Sequence, residues 1–485
     1  GKYLAEVSGR YDGSSKFPTN SKWGFFPSAS VAWRVSEEPW MKWSEEWLDN
    51  AKIRLSAGSM GNGNVSPYSY TSEMTVSTAD DIVLGGSYPS YTSVGSTVPV
   101  SLTWEKSTTY DLGLDLDFLN NRLSFSGDYY RRYTTDMYTA SVALPAVYGT
   151  GSPKGNNAEM KTDGWELSLS WRDSFKLGGK PFDYSIKAMV WDNRTVVTKY
   201  ENATRSLGTL KGYIQNGGSP SDFYEGMELG EMWGYTVAGL FRDQADIDSS
   251  ATHDFTQASD KVTRPGQVKI ADLDHNGNID PGAFTADDHG DLSIIGNINP
   301  HYMFGVNLAA NWNGIGLSVF LQGVMKRDWY PSPDSGYFWG KYARPFMWVL
   351  GIHNYTDDMY SKEKNNWDTA YWPRMTTYQS NSSYSWTKLL EIPNTRYKQN
   401  AAYLRVKNIQ VDYTFPKALC QKIRLGGLKI YLSGENLFTF TPLHKYAPNF
   451  DPEALGYDTD FSSTAGDGYT YPVLKSVTLG VNITF

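Results

Sequence analysis

The 485-residue chain has one cysteine, Cys420, so no internal disulfide is possible. A lone thiol does not indicate a redox compartment, and Cys420 is expected to be a small apolar filler. Long apolar runs are missing as well. The longest, Phe346 to Ile352, falls far short of the roughly 20 residues a spanning helix needs. A mean hydropathy of -0.47 likewise excludes a helical membrane protein. The formal net charge is -8 and no basic stripe is present, which argues against a nucleic-acid partner.

Catalytic signatures are absent too. There is no His-Glu-x-x-His, no Gly-x-Ser-x-Gly, no phosphate loop and no paired cysteine ligands. The six histidines, His253, His275, His289, His301, His353 and His444, have no metal spacing. The expectation is that the protein is not an enzyme. A glycoside hydrolase needs only two facing carboxylates and stays open as an alternative, but it explains neither pattern described next. No leader precedes Gly1, so the chain is expected to be a mature piece whose N-terminal part lies elsewhere.

What is present is alternation. In the last stretch Val477, Leu479, Val481, Ile483 and Phe485 share one side, while Ser476, Thr478, Gly480, Asn482 and Thr484 share the other. A chain that stops on an aromatic of the apolar face suits a closed barrel, where the last strand meets the first and the ring sits in an interfacial girdle. The same period recurs along the chain. Leu112, Leu114, Leu116 and Phe118 oppose Asp111, Gly113, Asp115 and Asp117; Asn120 and Asn121 turn the chain; Leu123, Phe125, Gly127 and Tyr129 resume the apolar face. Asp115, Asp117 and Asp128 are expected in a wet lumen. A second tight hairpin turns at Asn313 and Gly314.

About twelve strands result, and after the first pair their connections alternate long and short. A soluble sandwich has no reason to sort loop lengths by parity. The expected fold is therefore all-β, a transmembrane antiparallel up-and-down β-barrel, with its apolar face toward outer-membrane lipid. The long loops, 193–300, 328–400 and 438–472, are expected outside the cell, and the C-terminus in the periplasm. Between Val35 and Asn50, Trp40, Trp43 and Trp47 fall at helical spacing, which predicts a short helix plugging the rim; irregular packing is the competing reading.

Two loop features bear on function. Asp272, Asp274, Asn276, Gly277, Asn278 and Asp280 match the opening of a calcium loop, with alternating oxygen ligands and a glycine at the sharp turn. The closing Glu is replaced by Ala283, with Asp287 and Asp288 as possible substitutes, and a turn that bonds its own backbone competes with a structural calcium ion. No organic cofactor is expected. Between Trp329 and Trp386 the chain is crowded with aromatic rings. Flat rings stack on sugars, so Trp329, Trp339 and Trp372 are candidate contacts of a glycan path or its rim. Loop self-packing, contact with a lid protein and an interfacial belt are the alternatives.

Several segments, in order, resemble the SusC/RagA-like TonB-dependent outer-membrane transporters. They include "GKYLAEVSGRYDGSSKF", "WGFFPSASVAWRVSEEPW", "LTWEKSTTYDLGLDLDFLNNRLSFSGDYYRRYTTDM", "IADLDHNGNID", "AYLRVKNIQVDYTFP", "LKIYLSGENLFTFT", "DPE" and "YPVLKSVTLGVNITF". The resemblance implies a barrel of about 22 strands in the outer membrane of a Gram-negative bacterium. It also implies an N-terminal plug that contacts the TonB complex, a SusD-like lipoprotein lid, and import of oligosaccharides or, alternatively, peptides. Residues 1–485 would be the C-terminal part of such a barrel, because plug, TonB box and roughly the first ten strands find no counterpart here.

Overall fold

The computed structural model describes the chain except residues 73, 96–97, 99–101, 142–146, 148–152, 210–219, 254–262, 332–337, 339–357, 375–391 and 456–472. Its frame is one 12-stranded sheet in which chain order equals spatial order. The first six strands are β1 (Tyr3–Gly13), β2 (Trp23–Arg34), β3 (Leu48–Asn62), β4 (Glu105–Phe118), β5 (Leu123–Ala140) and β6 (Lys154–Leu177). The rest are β7 (Lys180–Lys199), β8 (His301–Trp312), β9 (Ile315–Lys326), β10 (Tyr403–Thr414), β11 (Gly427–Phe440) and β12 (Ser476–Thr484). All neighbours are antiparallel, and each strand falls where the alternation places it.

Tight turns close one end of this wall. Asn120 and Asn121 have φ of 60° and 57°, Asn313 and Gly314 have 49° and 87°, and Gly178 and Gly179 have 58° and 77°. Left-handed backbone suits Asn and Gly, and it matches the twist of the strands that such turns join. The long connections gather at the opposite end.

The two faces of the wall differ as expected. On β6, Trp165, Leu167, Leu169 and Trp171 stand on the apolar side, bracketed by Asp163 and Asp173. At roughly 3.3 Å per residue and a tilt of about 40°, that bracket spans about 25 Å, the height of an outer-membrane apolar band. Leu167 and Leu169 are 40% and 49% exposed, although they are large and apolar. The polar side carries an ion network. Arg54 reaches Asp115 at 2.8 Å and Asp128 at 2.9 Å, Ser126 donates to Asp115 at 2.9 Å, and Asn50 donates to Asp117 at 3.1 Å. Gly113 makes this possible, because a Cβ there would lie 2.5 Å from the Arg54 guanidinium carbon.

The tryptophan segment departs from expectation. It forms two 3-10 turns, Val35–Glu37 and Pro39–Ser44, rather than an α-helix in the rim. Glu38 lies between them and accepts hydrogen bonds from the Tyr3 hydroxyl at 2.5 Å and Trp33 Nε1 at 3.1 Å. Both donors belong to the apolar face, so the segment is drawn beside that face. Trp40 packs edge-on to Trp33, and Trp47 stacks on Phe118. The result is a girdle of rings at the short-turn end and no plug.

Candidate functional site

At the long-loop end, three connections that are far apart in sequence share one core. The β7–β8 connection contributes Tyr235, Leu240, Ile270 and Leu292; the β9–β10 connection Trp329, Tyr330, Phe338, Trp372 and Tyr397; the β11–β12 connection Leu443, Ala447, Phe450 and Leu455. Short two-stranded ribbons, one nested within the other in sequence, order the first of these. Glu231–Tyr235 pairs with Leu292–Asn297, and Val237–Leu240 pairs with Val268–Ile270. Rings then join the connections to one another. Trp329 lies 5.0 Å from Phe450, and Tyr371 stacks on Tyr446 at 3.6 Å.

Two arginines tie this core to the wall. Arg327, next to the end of β9, donates to Ile298 O at 3.3 Å, Pro452 O at 3.1 Å and Leu455 O at 2.7 Å, and so holds a carbonyl of each neighbouring connection. Arg405 stands on the polar side of β10, beside Val406 of the apolar side, and is only 3% exposed. Its Nη2 lies 2.6 Å from Asp451 and its Nε donates to Thr439 at 2.9 Å. Its Nη1 is 3.0 Å from Glu453, an ion pair without hydrogen-bond alignment. Lys407 adds a second contact to Glu453 at 3.0 Å. The Asp451–Pro452–Glu453 segment is therefore latched onto the inner, polar wall. A buried charge held this way costs several kcal/mol to strand, on the order of 3–5.

Of the three candidate tryptophans, Trp329 and Trp372 are each 1% exposed. Their rings contact Phe338, Phe450 and Tyr397, which leaves no free face for a ligand. Trp339 lies outside the described residues, as does the apolar run Phe346 to Ile352. The role of Arg405 was not legible in advance. The only signal was the "DPE" segment, whose partner is set by folding.

The acidic loop folds as a series of turns. Gly277 has φ +84°, and its N–H donates to Asp272 Oδ2 at 3.0 Å. Ligand atoms of Asp272, Asp274 and Asp291 come within 4.8 Å of one another. Asp291 was not anticipated. It sits just before Leu292, fully buried, and accepts from Leu273 N at 2.6 Å and Asp280 N at 3.0 Å. Burial, with Asp274 and Asp272 nearby, holds its carboxyl above the usual range despite those two bonds. Asp272 Oδ1 is sealed from water and accepts no hydrogen bond. The remaining candidates turn to other tasks. Asn276 donates to Asp274 at 3.0 Å and accepts from Asn278 N at 2.7 Å, while Asp280 accepts from Gly282 N at 2.7 Å. Asp287 pairs with Arg205, and the Asp288 backbone carbonyl takes Thr285 N at 3.1 Å.

A wall that is apolar on one side, polar on the other and roofed at one end by packed loops has the architecture of a large outer-membrane barrel. Residues 1–268 match the family model described as TonB dependent receptor-like, beta-barrel, and the chain belongs to that family of outer-membrane receptors and transporters. It is 28% identical to TonB-dependent receptor P3 of Formosa agariphila, over 100% of this chain and 44% of the relative. It is 26% identical to TonB-dependent receptor SusC of Bacteroides thetaiotaomicron, over 100% of this chain and 42% of the relative. Among solved structures, the RagAB peptide importer in its 'closed-closed' state is similar in fold, with TM-score 0.69 and 21% identity, over 100% of this chain and 46% of that one. The chain thus spans less than half the length of these relatives. No helix among the described residues is long and apolar enough to cross a membrane, which says nothing of strands.

Proposed function

We propose that these residues form part of the wall and mouth of a SusC-type importer that takes oligosaccharides across the outer membrane in a TonB-dependent manner. One observation supports this most: three long loops share a single core, and Arg405 latches that core to the polar wall. Such a rigid mouth can hold a substrate above the lumen while a SusD-like lipoprotein covers it. In this reading the long-loop end is extracellular, the apolar band faces lipid and the C-terminus is periplasmic. The β1 and β12 edges take neighbours from strands outside residues 1–485, and the plug and its TonB contact come from the same part of the protein. Trp329 and Trp372 shape the rim from beneath, and Trp339 is the proposed stacking ring. Uptake of labelled oligosaccharides is expected to fall in Trp339→Ala with surface levels unchanged. Loss of peptide uptake with sugars unaffected would move the protein to peptide import, the activity for which its RagAB neighbour is named.

The acidic loop is proposed to hold a structural calcium ion. Asp272, Asp274 and Asp291 supply carboxylates, and the orphaned Asp272 oxygen is what a cation would satisfy. Asn276, Asn278 and Asp280 shape the turn around it. Calcium is expected to slow backbone exchange in residues 271–292 of the purified protein, and Asp291→Asn is expected to abolish that protection. Equal exchange with calcium and with chelator would remove the ion from the account.

A further inference from the structure

Where the apolar band ends, a groove of about 820 Å³ opens at the top of the wall. Its β7 residues, Asp192 and Arg194, stand on the apolar side, and Lys326, in register with His301, closes it from the end of β9. Asp192 is in register with Trp165, Arg194 is in register with Asp163, and the Tyr302 ring lies 6.4 Å from that of Trp165. The β7 side of the groove therefore faces away from the lumen. It lies one row above the ring row that caps the band, at the level where membrane headgroups meet an outer-membrane barrel.

Its acids are satisfied from within. Asp192 meets His301 at 2.9 Å, Glu228 meets Arg194 at 2.6 Å, Asp328 meets Lys398 at 2.9 Å, and Glu231 accepts from Tyr224 and Trp233. The groups left over are donors. Lys326 has no acidic partner among the described residues. Arg205 pairs through Nη1 with Asp287, but its Nε is buried and donates to nothing. Arg194 keeps 67% of its side chain exposed beside Glu228. An unpaired ammonium and an unsatisfied guanidinium N–H call for an anion with several oxygens, as a phosphate has. Tyr302, 44% exposed, adds a ring surface of the kind that flanks sugars, buried Trp233 and Tyr224 form the floor, and the volume is within the range of about 300–1,000 Å³ typical of small-molecule sites. Ile294 at the lining is 55% exposed and continues the apolar surface upward.

We propose that this groove seats the phosphorylated sugar headgroup of an outer-leaflet glycolipid, with the acyl chains running down the apolar band beside Leu167 and Leu169. The proposal rests on the outward orientation given above, and its test does not depend on transport. The complete transporter, purified in detergent, is titrated in native mass spectrometry with three probes: a bis-phosphorylated acylated glucosamine disaccharide, phosphatidylglycerol and glucosamine 6-phosphate. Selective retention of the glycolipid is expected. It should weaken about tenfold in Lys326→Ala, a residue with no ion pair to lose among the described residues. Arg194→Gln should weaken it comparably, with heat-modifiable gel migration reporting an intact barrel. Equal retention of phosphatidylglycerol, equal binding of the soluble phosphosugar, or unchanged retention in both variants would overturn the proposal. A lipid-free dimer that Lys326→Ala dissolves would overturn it too, by giving the groove to a second copy. Uptake assays report on import separately, so failure of one reading leaves the other measurable.

Discussion

The wall and the loop assembly treat large side chains in opposite ways. On the wall and its ring girdle, Leu169 and Trp43 are 49% and 69% exposed, while in the loops Trp329 and Trp372 are 1% exposed. The wall is held by strand-to-strand hydrogen bonds and leaves its apolar face for lipid. The loops bury their rings against each other, as a water-soluble domain does. A substitution that removes a ring should therefore act strongly in one region and weakly in the other.

The largest effect is expected for Trp372→Ala. Emptying a buried ring site costs about 3–5 kcal/mol, so the loops should become protease-sensitive while the barrel keeps its heat-modifiable migration. Loss of the barrel along with the loops would show that the two regions are one cooperative unit. Next comes Leu169→Arg, which places a charge midway along the apolar band at a cost of about 2–4 kcal/mol of membrane stability. Its neighbour Ser168→Arg, on the polar face, should be tolerated when urea unfolding in lipid is measured for both. Similar losses would contradict the two-faced wall.

A smaller, pH-dependent change is expected at His253. Its ring is 8% exposed and accepts from Ile270 N at Nε2, 2.9 Å away, while Nδ1 contacts Ala251 O at 2.8 Å. Burial holds its pKa below the ordinary 6.5; the Ala251 bond opposes this and nearby Lys269 adds to it. Because the folded value is depressed, the unfolded ring takes up its proton first, so stability is lost as the pH falls below about 6.5. Protonation removes the acceptor for Ile270, worth about 1–3 kcal/mol locally. The protection of the Ile270 amide, taken relative to its intrinsic exchange rate, should fall between about pH 7 and 5, and His253→Gln should flatten that dependence. A pH-independent protection of Ile270 would remove His253 from the stability of this strand pair. The smallest effect is expected for Trp43→Ala, about 1 kcal/mol or less by urea unfolding in lipid, because its ring is already exposed. A cost near that of Trp372→Ala would mean the girdle is a packed core.

The wall was legible because its signal is local. A period of two shows in any five residues, so strand positions, the Asn120–Asn121 and Asn313–Gly314 turns and the placement of Asp115 and Asp128 could be read directly. The short helix expected at Trp40 to Trp47 was not found, since Glu38 binds Tyr3 and Trp33 across the sheet, a contact outside the periodicity of its own segment.

Sequence by itself thus determined the strands, the two faces of the wall, the parity of the loops and the family. Tertiary structure decided which rings are buried, that Asp291 joins Asp272 and Asp274, and that Arg405 meets Asp451 and Glu453. The physical reason is range. Backbone alternation repeats every two residues and marks the chain wherever it occurs. A contact between connections dozens or hundreds of residues apart depends on which loops the wall delivers to the same end, and no stretch of the sequence records that.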